Sequence, residues 1–367
     1  MRVPFVDLKR KLLKHSARTD QEISRVFNRG IFILGPEVKN FEDKFSEYIG
    51  ADYCVGAANG TDALEIALRA CGVQMHNKVA TVANAGFYTS TALHAIGAEP
   101  VYMDVDLETR NVVLESVRQA IKEGVYAVVI THLYGLAVAE TEAIIRLCNK
   151  HGVVVVEDCA QAHGASINGK RVGSFGDAAA FSFYPTKNLG AYGDAGAVVT
   201  SVKSIYESAV ALRSYGWKEK YVVETPAGRN SRLDEIQAAI LTGLLPHLDQ
   251  DNLRRLEIAK YYLANIRNKD IQLPNHEIGS FVAHLFVLRS SNRDLLQKKL
   301  AEHEIDSMVH YPISDLDQFS SRGLPTKKEL KNTKVLTQEI LSIPCYPEMS
   351  DEEVAYVTRT INESVLS

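Results

Sequence analysis

The chain has 367 residues, 46% of them hydrophobic and 23% charged, so it can bury a large core. This composition excludes an intrinsically disordered chain. Lysines and arginines number 41 against 45 aspartates and glutamates, and the formal net charge is −4 at pH 7. That balance argues against a nucleic-acid-binding protein as a class.

The sequence also bears on the compartment of the protein and on membrane association. The first residues show no basic region followed by an apolar run, so we expect no secretion signal. Residues 79–98 carry no aspartate, glutamate, lysine or arginine, yet they hold too many polar groups for a lipid-facing helix. The cysteines form no CxxC motif and are odd in number: Cys54, Cys71, Cys148, Cys159 and Cys345. We expect a cytoplasmic protein with reduced thiols and no membrane partner.

The first two-thirds of the chain alternates β-rich runs with helical patterns. The predicted strands are 79–82, 100–104, 125–130, 152–156, 178–183 and 196–200. The predicted helices between them include 63–71, 114–122 and 140–151. Nearly continuous apolar runs indicate strands covered on both faces, hence an α/β fold with a largely parallel sheet flanked by helices.

The pattern changes near residue 246. Helices are predicted at 248–267, 293–302, 327–341 and 351–362, and a strand at 283–289. We expect a large domain over residues 1–245 and a small C-terminal α+β domain over residues 246–367.

Asp158 follows the apolar run 153–156 and therefore lies at the carboxyl end of a predicted strand, where ligands bind in open parallel sheets. An isolated aspartate at this position is typical of a turn cap. It could instead face a cationic ring nitrogen or a metal. Cys159 and His163 lie nearby, but no second cluster completes a metal site, so none is predicted.

Lys187 is the only charged residue from Ala178 to Tyr192, and it lies among aromatic and small residues. Most lysines are solvated surface charges. A desolvated ammonium has a lowered pKa and becomes a nucleophile toward aldehydes. The setting therefore suits a lysine that bonds covalently to a carbonyl.

The segment NGTDAL at 59–64 leads from a predicted strand end into a helix. Backbone amides of Gly60 and Thr61, with the helix N-terminus, would cradle an anion, although simple capping by Asn59 explains the same residues. Neither a dinucleotide-binding nor a P-loop motif occurs in this context. A buried lysine, a strand-end aspartate and an anion site together match the needs of pyridoxal 5′-phosphate (PLP).

Several motifs resemble the DegT/DnrJ/EryC1/StrS nucleotide-sugar aminotransferases, and the resemblance extends over essentially the whole chain. They are GPEV at 35–38, NGTDAL at 59–64, EDCAQAHGA at 157–165, GDAAAFSF at 176–183, KNLG at 187–190, NSRLDEIQAA at 230–239 and HYP at 310–312. The resemblance implies a PLP-dependent transferase of fold type I, similar to aspartate aminotransferase. It also implies a homodimer with shared active sites.

The resemblance assigns roles to individual residues. Lys187 would hold PLP covalently, Asp158 would face the pyridine nitrogen and Gln161 would lie by the ring hydroxyl. Phosphate contacts would come from Gly60, Thr61 and Ser182, with Asn230 of the other subunit. Phe87 is the candidate for the aromatic ring that covers one face of the cofactor.

Substrate contacts follow in the same way. The resemblance places Tyr184, His310 and Tyr311 against the sugar. The loop from residue 213 to residue 232 has five basic and two acidic residues and contributes Arg213, Tyr215, Trp217 and Lys220. Its aromatic and basic pattern is also found in single-stranded nucleic-acid binders and in solvated loops, but the net charge favours contacts with a diphosphate and a base.

The implied reaction transfers an amino group from L-glutamate, which becomes 2-oxoglutarate, through the pyridoxamine form of the cofactor (PMP). The acceptor would be the C3 keto group of a dTDP-3-keto-6-deoxyhexose. Two alternatives stay open. One is amination at C4 of a UDP- or GDP-linked 4-keto sugar, and the other is a non-catalytic PLP-binding regulator.

Overall fold

The structure is a computed structural model that describes residues 1–274, 280–318 and 329–366. The helices are α1 (Leu8–Arg29), α2 (Pro36–Ile49), α3 (Gly60–Ala70), α4 (Tyr88–Ile96), α5 (Leu114–Lys122), α6 (Thr141–Lys150), α7 (Lys203–Leu212), α8 (Glu235–Leu244), α9 (Leu248–Asn265), α10 (Arg293–Glu302), α11 (Lys331–Glu339) and α12 (Asp351–Glu363). Across these described residues, no helix combines the length and apolar character needed to cross a membrane.

The strands form one large sheet and three short pairs. They are β1 (Tyr53–Ala57), β2 (Lys78–Val82), β3 (Glu99–Met103), β4 (Ala127–Thr131), β5 (Val154–Asp158), β6 (Ser166–Ile167), β7 (Lys170–Arg171), β8 (Ala178–Ser182), β9 (Gly196–Thr200), β10 (Trp217–Glu219), β11 (Val222–Val223), β12 (Phe286–Arg289) and β13 (Ile340–Ile343). The large sheet has the order β1-β9-β8-β5-β4-β2-β3. Only β9 runs against the others in this sheet, so the predicted mostly parallel α/β architecture is confirmed.

Both faces of the mostly parallel sheet are covered. In β4, Ala127 and Val129 pack into the hydrophobic cluster on one face, whereas Val128 and Ile130 pack into the cluster on the other. Alternate side chains of a strand point to opposite faces, so a strand buried on both sides must be apolar at every position. This requirement explains the continuous apolar runs in the sequence.

Helices α1 and α2 were not predicted. The buried positions of α1 are His15, Thr19, Glu22 and Val26, so three of its four inward residues are polar and the helix has no apolar stripe. Its capping signals were present in the sequence. Asp7 accepts a hydrogen bond from the Arg10 N–H at 3.0 Å, and Gly30 ends the helix with a φ of 70°.

The C-terminal region has its own hydrophobic cluster, which residues of α9, β12, β13 and α12 form together with Val3 from the N-terminus. Strand β13 corrects the predicted helix at 327–341, of which residues 327 and 328 lie outside the described residues. Residues 340–343 are fully buried and pair with β12, which explains why an apolar run there forms a strand. The domain boundary at residue 246 stays a prediction.

Candidate active site

A cavity of about 590 Å³ opens at the carboxyl edge of the large sheet. Its wall includes residues at or just after the ends of five strands that run in the same direction: Asn59 after β1, Ala85 after β2, Thr131 in β4, Asp158 in β5 and Ser182 in β8. A parallel sheet gathers these strand ends at one edge, and the volume suits a small-molecule site.

Asp158 is the last residue of β5, and its side chain is buried on the cavity wall. The Ala160 N–H donates to its Oδ1 at 3.1 Å, which fixes the carboxylate in a short turn. Burial raises the pKa of Asp158, while this N–H and the nearby Lys187 ammonium oppose the rise. The carboxylate is therefore a buried anion whose local positive partner is the lysine.

Lys187 lies in the loop after β8, on the same cavity wall as Asp158. Burial lowers the pKa of its amine to about 8, although Asp158 favours the charged form. The loop is fixed from several sides. Lys11 of α1 donates to the carbonyls of Pro185 and Lys187 at 3.2 and 3.3 Å, and Asn188 donates to Asn252 at 2.8 Å.

The N-terminus of α3 forms the predicted anion cradle. Asn59 caps the helix by accepting from the Asp62 N–H at 2.8 Å. The amides of Gly60 and Thr61 have no hydrogen-bond partner within the described ranges, and both residues line the cavity. A Cβ on Gly60 would fall 2.5 Å from the Ser182 Cβ, so only glycine allows Ser182 to close the cradle.

Gln161, His310 and Tyr311 also meet on the cavity wall. Gln161 accepts from the Tyr134 N–H at 2.7 Å and donates to the Tyr311 hydroxyl at 3.0 Å. His310 is held by Ser342 at 2.9 Å and by the ring of Phe5, with centroids 5.5 Å apart. Burial lowers the pKa of His310 to about 4, and Lys187 adds to this effect, so the imidazole is neutral near pH 7.

Glu157 and His132 form a buried pair next to the site, beside Asp158 and at the end of β4. Glu157 accepts from the N–H groups of Gly173, Phe175 and Gly176 at 2.7 to 2.8 Å, and it lies 3.0 Å from His132 Nε2. Burial favours a higher pKa for Glu157, but His132 and the backbone donors outweigh it and lower the pKa. Cys159 also approaches this pair. We assign the trio a structural role, because the carboxylate oxygens are already occupied.

The cavity brings together most of the predicted residues. They are Gly60, Thr61, Asp158, Gln161, Ser182, Tyr184, Lys187, His310 and Tyr311. Phe87 is not part of the wall. Its N–H donates to Asp315 at 3.0 Å and its ring contacts His94, whereas the next residue, Tyr88, lines the cavity. Tyr88 replaces Phe87 as the candidate stacking ring, a shift of one residue after the positive φ of Gly86.

Residues of the loop 213–232 lie outside this cavity. Tyr215, Trp217, Lys220 and Asn230 are on or beside the β10–β11 hairpin, and none lines the cavity of a single chain as described. Arg213 does not fit its predicted role as a substrate contact. Its buried guanidinium forms an ion pair with Glu42 and donates to the Gly56 carbonyl at 3.0 Å, so it anchors the loop.

Sequence reasoning missed several wall residues. His132 and Thr131 were detectable because they end β4 as Asp158 ends β5. Arg255 was also detectable, since it interrupts the buried stripe of the long helix α9. Tyr346 and His284 carry no local signal, because they reach the cavity only when the C-terminal region packs onto the sheet.

The residues present fit a PLP molecule on observations of this structure alone. A buried amine of lowered pKa and a buried carboxylate share one cavity, and two unpaired helix N-terminal amides face it. The Gly60–Ser182 approach leaves a narrow cradle beside these amides. These groups match the aldehyde, the ring nitrogen and the phosphate of PLP, respectively.

Comparison with known proteins agrees with this chemistry. A relative from Aneurinibacillus thermoaerophilus, named dTDP-3-amino-3,6-dideoxy-alpha-D-galactopyranose transaminase, is 42% identical and is aligned over 98% of this chain and 99% of its own. The crystal structure of S. venezuelae DesV in complex with a ketimine intermediate superimposes with a TM-score of 0.95 at 38% identity, covering 99% and 98% of the two chains.

A second solved structure, NtdA from Bacillus subtilis with bound cofactor PMP, has a TM-score of 0.91 at 27% identity and covers 98% of this chain and 84% of its own. The model of the DegT/DnrJ/EryC1/StrS aminotransferase family matches residues 14–362. The resemblance inferred from the motifs is therefore confirmed, and this chain belongs to the DegT/DnrJ/EryC1/StrS aminotransferase family.

Proposed function

We propose that this protein is a PLP-dependent aminotransferase that transfers the amino group of L-glutamate to C3 of a dTDP-3-keto-6-deoxyhexose. The products are 2-oxoglutarate and a dTDP-3-amino-3,6-dideoxyhexose. The observation that carries the proposal is the shared cavity of Lys187, Asp158 and the α3 N-terminus. The name of the relative that is 42% identical over nearly the full length supports amination at C3.

When bound, PLP supplies an aldehyde that accepts an amine and a ring that withdraws electrons. The chain supplies the rest. Lys187 would hold the aldehyde covalently, and its freed amine would move a proton at the reacting carbon of the amino acid or the sugar. Its pKa of about 8 makes the neutral base accessible near neutral pH. Asp158 would hold the proton on the ring nitrogen, and Gly60, Thr61 and Ser182 would bind the phosphate.

The substrate side is assigned by the same proposal. Tyr184, His310 and Tyr311 line the cavity and would contact the keto sugar. Because burial keeps His310 neutral, its ring can donate or accept a hydrogen bond without adding charge. Tyr88 would cover one face of the cofactor ring, and its edge-to-face contact with Tyr311 at 6.0 Å links the cofactor and sugar regions.

A homodimer with shared active sites is part of the proposal. Large apolar side chains at the end of α1 and in the α1–α2 connection are exposed, among them Phe27, Ile31 and Phe32 at 45 to 60%. The β10–β11 hairpin also exposes Tyr221 and Val222. Such patches mark interaction surfaces. In the assembly, Asn230, Tyr215, Trp217 and Lys220 would reach the partner's cavity.

The five free cysteines suit the reducing cytoplasm that we infer as the location.

The test uses purified protein loaded with PLP. L-Glutamate should abolish the yellow absorbance of the bound cofactor and yield 2-oxoglutarate, whereas a non-catalytic regulator would leave the spectrum unchanged. A panel of dTDP-, UDP- and GDP-linked 3-keto and 4-keto sugars is then offered, and NMR of the product locates the new amine. Amination at C4 alone would reject the assignment to C3.

A further inference from the structure

Arg255 lies on the cavity wall and has no role in the site described above. It belongs to the buried face of α9 together with Leu248, Asn252 and Ile258, and only 6% of its surface is exposed. Its Nη1 donates to the Cys345 carbonyl at 2.5 Å. In the described parts of the chain, its buried Nε has no hydrogen-bond partner.

Among the four buried arginines of the described residues, Arg255 is distinguished by its place on the cavity wall. Arg213 pairs with Glu42, and Arg289 pairs with Glu339. Arg110 has no ion pair among the described residues either, but it does not line the cavity. A buried guanidinium without a counter-ion is costly to the folded state, so an anion that enters the cavity would supply the missing partner at Arg255.

The surroundings of Arg255 favour an anion. The Tyr346 hydroxyl is buried on the same wall and has no partner in the described ranges. Burial lowers the pKa of Lys11 to about 8, and the charge of Arg255 adds to this effect. Two acidic groups, Glu348 and Asp251, also act on Arg255 electrostatically. Burial raises the pKa of Glu348, whereas Asp251 already pairs with Lys14.

We propose that Arg255, assisted by the Tyr346 hydroxyl, binds a carboxylate of the amino donor. The ligand class is a 2-amino acid and its 2-oxo acid product, and the inference rests on the proposed function. A guanidinium fork matches a carboxylate in two parallel hydrogen bonds. The reacting end of the proposed dTDP-3-keto-6-deoxyhexose is neutral, since its negative charge lies on the diphosphate. Arg255 therefore serves the donor half-reaction and not the sugar half-reaction.

The experiment measures each half-reaction separately with PLP-loaded protein. Arg255→Gln should raise the L-glutamate concentration for half-maximal rate roughly 10- to 100-fold, and Arg255→Lys should show a smaller increase because it keeps the charge but loses the fork. The sugar half-reaction should change less than about threefold, within ordinary variation. The control is Arg254→Gln, which removes a neighbouring arginine that pairs with Asp351 outside the cavity. Equal effects on both half-reactions, or an effect on the sugar alone, would overturn the proposal.

Binding of inert analogues tests the same contact without turnover and covers the case in which Arg255→Gln does not fold. Glutarate should bind wild-type protein at least about tenfold more tightly than the uncharged glutaramide by calorimetry, and Arg255→Lys should reduce that preference. Equal affinities would refute the subsite. If the wild-type protein accepts an amino group from no amino acid, the proposed function fails. If the wild-type protein accepts an amino group and the Arg255 variants behave as wild type, only the subsite fails.

Discussion

The cavity and the 213–232 loop, the two regions expected to contact the reactants, differ in how far one chain completes them. Residues from five strand ends line the cavity, and both Lys187 and Asp158 are on its wall. The aromatic and basic residues of the loop lie outside it, and Tyr221 is 77% exposed. We infer that one chain holds Lys187 and Asp158, whereas the Asn230 phosphate contact and the enclosure of the substrate depend on a second copy.

The two regions differ because the core of the protein fixes the cavity residues, whereas it fixes the loop only at its base. Asp158 and Ser182 end strands in the middle of a sheet that is buried on both faces, so their positions follow from the core. The loop is held at its base by Arg213, which pairs with Glu42, while its tip is a short β10–β11 hairpin. A two-stranded hairpin is only marginally stable by itself and needs a surface to pack against.

The largest expected effect comes from Lys187→Ala. Without the amine there is neither a covalent link nor a proton carrier at the reacting carbon, so turnover should fall by roughly 10³-fold or more. Borohydride reduction followed by mass spectrometry should attach the cofactor to Lys187 in the wild type and not in the variant. Lys203→Ala, on the exposed surface of α7, is the control. A rate within tenfold of wild type would rule out the assigned role.

Asp158→Asn should lower the rate of the donor half-reaction by roughly 10²- to 10³-fold, because a neutral amide cannot hold the ring nitrogen protonated. Folding should persist, since burial already disfavours the Asp158 charge. Glu157→Gln is the contrasting variant. It replaces the carboxylate that accepts hydrogen bonds from three backbone N–H groups and contacts His132. These hydrogen bonds are weakened, so thermal stability should fall. If Asp158→Asn mainly lowered stability and Glu157→Gln mainly lowered the rate, Glu157 rather than Asp158 would be the residue that faces the ring nitrogen.

The link between the two regions is tested by mixing two impaired variants. Asn230→Ala should reduce activity by roughly tenfold through loss of a phosphate contact. If Asn230 serves the partner's cavity, randomly reassembled dimers of Asn230→Ala and Lys187→Ala contain one intact site in each mixed dimer. Activity should then recover to about a quarter of the wild-type value. A mixture that shows only the mean of the two variants indicates that Asn230 acts within its own chain.

A smaller effect separates Tyr88 from Phe87. Tyr88→Leu should weaken PLP binding about three- to tenfold, the range expected for loss of one aromatic contact. Phe87→Leu should leave the affinity close to wild type, because the Phe87 ring faces His94. Equilibrium dialysis of PLP against both variants decides between them. A larger loss in Phe87→Leu would restore the original assignment.

Much of the sheet and of the cofactor site could be predicted from the sequence. Strands buried on both faces are recognisable in the sequence as apolar runs. The predicted helix at 114–122 coincides with α5. Asp158, Lys187 and Gly60 were identified because each is tied to a strand end or a helix start, and in a parallel sheet these points gather at one edge. The chemistry was therefore encoded in local sequence.

What could not be predicted depends on packing between distant segments. Helix α1 has polar inward residues, so its burial depends on neighbours that the sequence pattern does not reveal. Arg213 carries the same charge as any substrate-binding arginine, and only its ion pair with Glu42, far away in sequence, shows that it is structural. Arg255 and Tyr346 meet on the cavity wall only after the C-terminal region folds against the sheet.

The smallest predicted effect concerns stability and tests the burial of Lys187 directly. Its folded-state pKa of about 8 lies below the ordinary value of 10.5, so between these values the unfolded chain binds more protons and stability must rise with pH. With the cofactor removed, the free energy of unfolding of the wild type relative to Lys187→Met should increase by roughly 0.7 kcal/mol from pH 7.5 to 8.5. Taking the difference cancels the contribution of Lys11, whose pKa is also lowered by burial. Urea titrations at both pH values measure it, and a flat or falling difference would mean that the amine is solvated rather than held inside the cavity.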